Sequence, residues 1–318
     1  MHRYQLQPYK GAHSRHQCPA CGKPRQFTLY VEIETGEPLA HHVGKCNRLD
    51  KCGHHYTPKQ YFADNGSLPP PNRFSHKPKT QSKTTSYIAP CIAANSLKSY
   101  QSNHFATYLN NLFGVEITNT LLKTYPVGTS KHWPGATVFW QVDAQGNVHT
   151  GKIMLYNPAT GKRVKEPHNY ITWVHSVIKQ PDFNLKQCLF GEHLISSYPD
   201  KPIAIVESEK TAIIASVFMP TFNWLATGGA QNMHNEMFAP LKGKRIVLFP
   251  DVNQYHKWKQ KATGILIPRT QISVSDYLEK RATPAMREQG ADLADVLIKP
   301  DPVAGWALTD NDYPVMWG

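Results

Sequence analysis

Two short apolar runs that each lead into an acidic residue constrain the fold of this chain most. Ile203 to Val206 precedes Glu207, and Arg245 to Phe249 leads through Pro250 to Asp251. Strand-like runs alternate here with helical segments, which predicts a parallel sheet with right-handed crossovers. The predicted strands are 203–206, 224–226, 245–249 and 264–267, and the predicted helices begin at Glu209, follow Gly229 and cover 255–262.

The two acids are candidate ligands for a divalent cation. Acids at the carboxyl ends of neighbouring parallel strands meet at the crevice where open α/β sheets bind ligands. Glu207 also lies just before a helix N-terminus, whose amides favour phosphate. Mg²⁺ prefers one or two carboxylates together with phosphate and water, so Glu207 and Asp251 form a plausible minimal site. Either acid alone is more often a solvated strand-end residue.

A second candidate metal site lies near the N-terminus. Cys18 and Cys21 are separated by two residues, Cys46 and Cys52 by five, and the two pairs bracket a predicted hairpin with strands at 27–33 and 39–43. Four thiolates at such spacing are typical of a zinc ribbon. The wider second spacing leaves room for one of two histidines to replace a sulfur: His54 or His55.

Charge is concentrated in the same part of the chain. Lys and Arg outnumber Asp and Glu by 35 to 23 in 318 residues, and residues 1–90 alone carry 13 basic and 5 acidic side chains. A basic surface of this kind favours nucleic acid, although solubility is the simpler explanation. Arg25 is the leading candidate for contact with a single strand, and protein contact is the competing use. No apolar run suggests a leader or a membrane span, so a cytoplasmic protein is expected.

Composition divides the chain into four predicted parts. Residues 1–63 form the zinc ribbon, 64–90 a basic linker rich in Pro, Ser and Lys, 91–200 an α+β subdomain, and 201–318 the α/β domain with an acidic C-terminal segment. The subdomain is predicted to contain helices at 99–112 and 117–122 and strands at 136–142 and 150–156. Candidate phosphate contacts, with ordinary surface charge as their default, are Lys152, Arg163, Lys165 and Lys210.

The α/β domain resembles the toprim domain of bacterial-type DNA primases, topoisomerases and some nucleases. The resemblance rests on Ile203–Glu207, Trp224–Asn232 and Val247–Asp251. The zinc ribbon and linker resemble the N-terminal layout of bacterial and phage primases. In detail the chain is similar to toprim-containing, primase-like proteins of Bacteroidetes mobile elements.

The resemblance implies roles for particular residues. Glu207 matches the toprim glutamate, a metal ligand or general acid/base, and Asp251 matches the first acid of the Asp-x-Asp motif. Asn253 stands where the second acid belongs, which puts two-metal chemistry in doubt. Asp292 or Asp295 could supply the missing oxygen, or both could simply cap a helix.

Three functions follow from this interpretation. The first is a primase-like nucleotidyl transferase that uses single-stranded DNA or RNA, nucleoside triphosphates, structural Zn²⁺ and catalytic Mg²⁺ or Mn²⁺. The second is a toprim nuclease, and the third is a non-catalytic nucleic-acid-binding protein. The sequence has no G-x-x-x-x-G-K-[ST] loop, so unwinding is expected to need a separate helicase.

Overall fold

The computed structural model describes residues 3–48, 51–66, 84–229 and 231–298. The chain forms two compact units, an N-terminal unit of residues 1–81 and a C-terminal unit of residues 82–318. Most of the predicted linker, residues 67–83, and the end of the C-terminal segment, residues 299–318, lie outside the described residues. At the end of the linker, Ile88 is buried and its amide donates to the Val148 carbonyl at 2.7 Å. This end is therefore anchored to the C-terminal unit at Ile88, while Tyr87 beside it is 43% exposed.

The N-terminal unit is an antiparallel sheet followed by a helix. Its strands are adjacent in chain order: β1 (Tyr4–Leu6), β2 (Phe27–Glu32), β3 (Gly44–Cys46) and β4 (His55–Tyr56). The helix α1 (Pro58–Asp64) begins at Thr57, whose hydroxyl accepts from the Gln60 amide while the Gln60 side chain accepts from the Thr57 amide. This reciprocal cap fixes where the helix starts.

The predicted hairpin is correct in its first strand and wrong in its second. Strand β2 covers the predicted run, but its partner is Gly44–Cys46, which places Cys46 opposite Phe27. Residues 39–43 form a turn in which the Val43 amide donates to the Ala40 carbonyl at 3.1 Å, and only its two ends, the Leu39 amide and the Val43 carbonyl, are hydrogen-bonded to Tyr30 of β2. Gly44 is required at its position, since a Cβ there would lie 2.3 Å from the Thr28 carbonyl oxygen.

The first half of the C-terminal unit is α+β, as predicted. Helices α2 (Pro90–Ser96) and α3 (His104–Thr124) precede an antiparallel sheet whose strands follow chain order: β5 (Val127–Thr129), β6 (Thr137–Val142), β7 (Val148–Met154) and β8 (Ile171–Trp173). The two predicted helices are one segment interrupted at Gly114, where φ is 79°. Strands β6 and β7 form the predicted hairpin. Two short helices follow this sheet: α4 (Val174–Ile178) and α5 (Leu194–Ser197).

The second half contains the predicted parallel sheet. Its strand order is β10 (Asn223–Ala226), β9 (Ile203–Val206), β11 (Arg245–Leu248) and β12 (Gln271–Val274), and every neighbouring pair is parallel. Its helices are α6 (Glu209–Phe218), α7 (Asn235–Phe238), α8 (Tyr255–Thr263), α9 (Tyr277–Arg281), α10 (Pro284–Gln289) and α11 (Leu293–Leu297). The fully buried run of β9 matches the continuous apolar pattern of a central parallel strand.

The predicted strand at 264–267 is wrong. Gly264 ends α8, and Leu266 is 78% exposed, so the segment turns instead of joining the sheet. Pro268 follows and cannot donate to a ladder. The fourth strand is β12, six residues after Ile265.

One apolar core joins the two sheets of the C-terminal unit. Phe139 and Met154 from the antiparallel sheet share a cluster with Val206, Ala226 and Val247 from the parallel sheet. A second cluster covers the opposite face of the parallel sheet. The carboxyl ends of β9 and β11 therefore emerge at one edge, beside residues of β6 and β7. Within the described ranges, no helix has the length and apolarity needed to cross a membrane.

Candidate metal centre and strand-end site

Four cysteine sulfurs converge in the N-terminal unit. The donor atoms of Cys18, Cys21, Cys46 and Cys52 lie within 4.8 Å of one another. They come from the turn before β2, the end of β3 and the turn after it. The backbone amide of Lys23 lowers the pKa of the Cys21 thiol to about 6, which favours a thiolate ligand.

This arrangement fits a structural zinc ion. Four sulfurs in a closed group match tetrahedral zinc, which leaves no open position for catalysis. The apolar cluster around the site consists of Phe27, Leu29 and the cysteines themselves, and besides it only Val31 and Val43 are buried hydrophobic residues among the described residues of the unit, so packing alone has little to stabilise the fold. The histidine alternatives have other contacts: His54 stacks on Phe27, and His55 is hydrogen-bonded to the Tyr30 hydroxyl at 2.9 Å.

The two predicted acids lie at the same edge of the parallel sheet. Glu207 follows β9 directly, Asp251 follows β11, and these strands are neighbours. Burial raises the pKa of Asp251 to about 8, and the Asp292, Glu207 and Asp295 carboxylates add to this rise while Lys210 opposes it. Three other acids therefore act on Asp251 at this edge. We call Glu207, Asp251, Asp292 and Asp295 the acidic cluster.

Two members of the cluster also cap a helix. Asp292 Oδ1 accepts from the Asp295 amide at 2.9 Å, and Asp295 Oδ2 accepts from the Asp292 amide at 3.1 Å. Asp292 Oδ2 accepts from the Thr211 hydroxyl at 2.9 Å. The interpretation that these acids cap a helix is confirmed, and both also raise the pKa of Asp251. The carboxylate oxygens of Asp292 are already engaged within the protein.

The acidic cluster is looser than the cysteine group. In the described part of the chain, the four cysteines are the one set of three or more Cys, His, Asp or Glu side chains at metal-binding spacing. The order of the strands brings the acids to one edge of the sheet. Their carboxylate oxygens do not, however, lie at metal-binding spacing around one point. Carboxylate side chains have the rotamer freedom to close on a cation when it binds.

Asn253, the third predicted catalytic residue, has different neighbours. Its amide N–H donates to Glu279 Oε2 at 3.0 Å, and its side-chain Nδ2 donates to the Arg287 carbonyl at 2.8 Å. Its φ of 67° is in the left-handed region, which Asn tolerates well. The residue at the position where the resemblance predicted a second acid is thus held by α9 and α10.

Two of the predicted phosphate contacts are instead ion-paired within the protein. Lys210 Nζ lies 3.6 Å from Asp292 Oδ2 and 3.9 Å from Asp295 Oδ1. Burial lowers the pKa of Lys210, but these carboxylates outweigh it and raise the pKa overall. Lys152 Nζ lies 3.2 Å from Glu209 Oε2 and donates to the Gly228 carbonyl at 2.9 Å. By contrast, three predicted contacts are exposed: Arg25, Arg163 and Lys165.

Sequence reasoning missed a buried polar group beside this site. Glu209 Oε1, both amide atoms of Gln141 and the Thr227 hydroxyl are buried without a hydrogen-bond partner in the protein. A Cβ on Gly228 would lie 3.0 Å from Glu209 Oε1 and 3.8 Å from Gln141 Nε2, so these atoms border one glycine. Buried polar atoms of this kind are usually satisfied by water or by a ligand. The one sequence signal was that Glu209 lies in the first turn of a helix. An acid there ordinarily indicates only a favourable interaction with the helix dipole.

Two protein families match parts of the chain. Residues 2–67 match a zinc beta-ribbon finger family, and residues 103–252 match the Domain of unknown function (DUF6371). The first match agrees with the four-cysteine site. No curated protein matches the chain.

Solved structures of primases align with the chain at low identity. The primase fragment of the bacteriophage T7 primase-helicase protein aligns over 87% of this chain and 98% of its own, with 14% identity and a TM-score of 0.37. The RNA polymerase domain of Mycobacterium tuberculosis primase aligns over 66% and 77%, with 13% identity and a TM-score of 0.42. The catalytic core of the E. coli primase aligns over 64% and 79%, with 11% identity and a TM-score of 0.42.

Proposed function

We propose that the chain is a magnesium-dependent, primase-like nucleotidyl transferase that acts on single-stranded DNA at a toprim-type site. One observation carries the proposal: Glu207 and Asp251 follow neighbouring parallel strands and lie at the same edge of the sheet. In agreement with this, burial together with the Asp292, Glu207 and Asp295 carboxylates raises the pKa of Asp251 to about 8. The neighbouring carboxylates disfavour ionisation of Asp251 because like charges repel. A divalent cation bound among these acids would offset that repulsion.

The proposed division of labour follows from the place of each acid. Glu207 and Asp251 would bind the cation from the ends of two neighbouring strands, and Asp292 and Asp295 would contribute charge while they cap α11. Mg²⁺ or Mn²⁺ held there would stabilise the triphosphate and activate a 3′-hydroxyl. Asp251 would lose its proton as the cation binds. The basic N-terminal unit and its exposed Arg25 would contact the template strand.

A non-catalytic nucleic-acid-binding protein is the second candidate, and Asn253 favours it. The side chain at the position of the second acid is an amide, and it is hydrogen-bonded to the Arg287 carbonyl. Such a site would hold at most one cation tightly. Nucleic-acid binding through the basic surfaces would then persist without chemistry.

Template-dependent incorporation of ribonucleotides by the full chain, with Mg²⁺, tests the proposal. Synthesis should be lost in Glu207→Gln and Asp251→Asn and kept in Asp276→Asn. Asp276 is a matched control because it also follows a strand of this sheet, yet it pairs with Lys280 at 2.9 Å outside the acidic cluster.

Other outcomes of the same assay would point elsewhere. Shortening of the single strand with the same sensitivity to Glu207→Gln and Asp251→Asn would indicate a nuclease. Binding of nucleic acid with neither synthesis nor cleavage, in wild type and variants alike, would support the non-catalytic candidate and overturn our proposal.

A further inference from the structure

Four rings form a continuous series at one end of the antiparallel sheet in the C-terminal unit. His168 stacks on Tyr170 with ring centroids 4.2 Å apart, Tyr170 meets Trp133 at 5.3 Å, and Trp133 meets His132 at 4.4 Å. Both histidines are exposed, and Trp133 and Tyr170 are partly exposed. We call these four residues the ring series.

The ring series is anchored to the fold. Trp133 packs against the apolar cluster that contains Trp140 and Val174, and its carbonyl accepts from the Ala136 amide at 3.0 Å. The Tyr170 carbonyl accepts from the Leu155 amide at 3.3 Å. Rings held in this way offer flat surfaces at low cost in side-chain entropy.

Basic side chains flank the rings. Lys131 precedes His132, and the loop that leads to Tyr170 carries Lys162, Arg163 and Lys165 against a single acid, Glu166. This loop lies beside the ring series because the Val164 amide donates to the Leu155 carbonyl at 3.0 Å. Within the described ranges, none of these four cations forms an ion pair with Asp or Glu.

Partly exposed aromatic side chains next to cations without an ion pair are the two elements of a surface that binds single-stranded nucleic acid. Unpaired bases stack on rings regardless of sequence, and basic side chains follow the phosphates. A duplex hides the faces of its bases, so it could use only the charges. The planes of Trp133 and Tyr170 meet at 80°, so two bases stacked on them would lie on differently oriented surfaces.

We propose that the ring series, with Lys131, Arg163 and Lys165, binds a single strand of nucleic acid by base stacking on Trp133 and Tyr170. The inference rests on the proposed function only for the class of partner. It assigns the strand to a named surface of the C-terminal unit, separate from the acidic cluster and from the zinc site.

The test is fluorescence anisotropy of labelled oligo-dT and oligo-rU with the zinc-loaded full chain, without added Mg²⁺. Trp133→Leu and Tyr170→Leu should each weaken binding of the single strand roughly tenfold, whereas Trp133→Phe, which keeps a ring, should retain most of it. Tyr198→Leu is the matched control, because Tyr198 is 46% exposed beside Lys201 but lies outside the ring series. Thermal melting verifies that each variant is folded.

Two further measurements separate stacking from charge. Replacing Lys131, Arg163 and Lys165 together should lower the slope of log affinity against log salt by about 0.7 for each phosphate that these side chains neutralise. The leucine variants should leave that slope and the affinity for a matched duplex unchanged. Equal loss of duplex and single-strand binding in the leucine variants would overturn the stacking role.

The inference and the proposed function can fail separately. Wild-type affinity in a folded Trp133→Leu, Tyr170→Leu double variant would refute the ring surface, even if Glu207→Gln abolishes synthesis. Loss of binding in that double variant would support the ring surface, even if Glu207→Gln leaves synthesis intact. A wild-type chain that binds neither oligomer would also refute it.

Discussion

Lys152 and Glu209 form a buried ion pair that joins the two sheets of the C-terminal unit. Lys152 lies on β7 of the antiparallel sheet, Glu209 opens the helix after β9, and Nζ is 3.2 Å from Oε2. The side chains are 11% and 2% exposed. The same ammonium donates to the Gly228 carbonyl, so one lysine connects β7, α6 and the loop after β10. A lysine predicted to contact phosphate is therefore part of the structure that positions the acidic cluster.

Breaking this pair should destabilise the C-terminal unit strongly. Lys152→Met leaves Glu209 buried without a counter-charge, and removing one partner of a buried pair costs roughly 3–5 kcal/mol. Glu209→Gln leaves the ammonium with the Gly228 carbonyl alone. The Lys152→Met, Glu209→Gln double variant should lose less than the sum of the two. Urea denaturation gives the free energies of unfolding, and strictly additive losses would show that the two side chains do not interact.

The sequence predicted the acid-ended strands well because the pattern that specifies each strand lies within a few consecutive residues. A run of β-branched residues, a following acid and a helix start place Glu207 at a strand end without knowledge of the rest of the fold. The same is true of Asp251 after β11. Their proximity then follows from parallel pairing of neighbouring strands, which the alternation of elements had predicted.

What the sequence did not reveal depends on distant partners. Glu209 is ion-paired with Lys152, which is 57 residues away in the chain, and no short sequence pattern predicts that pair. The strand at 264–267 was predicted because Ile265 and Ile267 are apolar, yet they pack onto the core from a turn. The true strand, β12, lies at the sheet edge and its residues are only partly buried, so its pattern is weak.

Stability and cation affinity should respond to pH in opposite directions through Asp251. Its pKa is raised from 3.8 to about 8, so between about pH 4 and pH 8 the folded chain holds a proton that the unfolded chain has lost. Stability without Mg²⁺ should therefore fall as pH rises through this window. Mg²⁺ must displace the proton, so its affinity should rise about tenfold per pH unit up to pH 8.

Calorimetry in buffers of different ionisation enthalpy measures this proton release directly. We expect close to one proton released per Mg²⁺ at pH 7 in wild type and in Asp276→Asn. Asp251→Asn should release none and should unfold with a weaker pH dependence. Unchanged proton release in Asp251→Asn would locate the titrating group elsewhere.

Removing zinc should unfold the N-terminal unit selectively. Cys18→Ser and Cys21→Ser each take one sulfur from a four-sulfur site, and the remaining buried side chains of Phe27, Leu29, Val31 and Val43 are too few to hold the sheet. Metal analysis should give one zinc per chain in wild type and in Cys91→Ser, whose exposed thiol lies outside the site. Limited proteolysis should then cleave residues 3–66 of the zinc-site variants and spare residues 84–298. Full zinc content in Cys21→Ser would contradict the ligand set.

An acid at position 253, where the resemblance predicted one, should not create a second metal site. In Asn253→Asp the new carboxylate cannot donate to the Arg287 carbonyl, which loses its 2.8 Å hydrogen bond. Arg287 Nη1, 3.3 Å from Asn253 Oδ1, would attract the acid and hold it toward α10, away from Asp251. We expect unchanged Mg²⁺ affinity and a loss of at most about 1 kcal/mol in stability. A clear gain of Mg²⁺ affinity by titration calorimetry would show that residue 253 can turn into the acidic cluster.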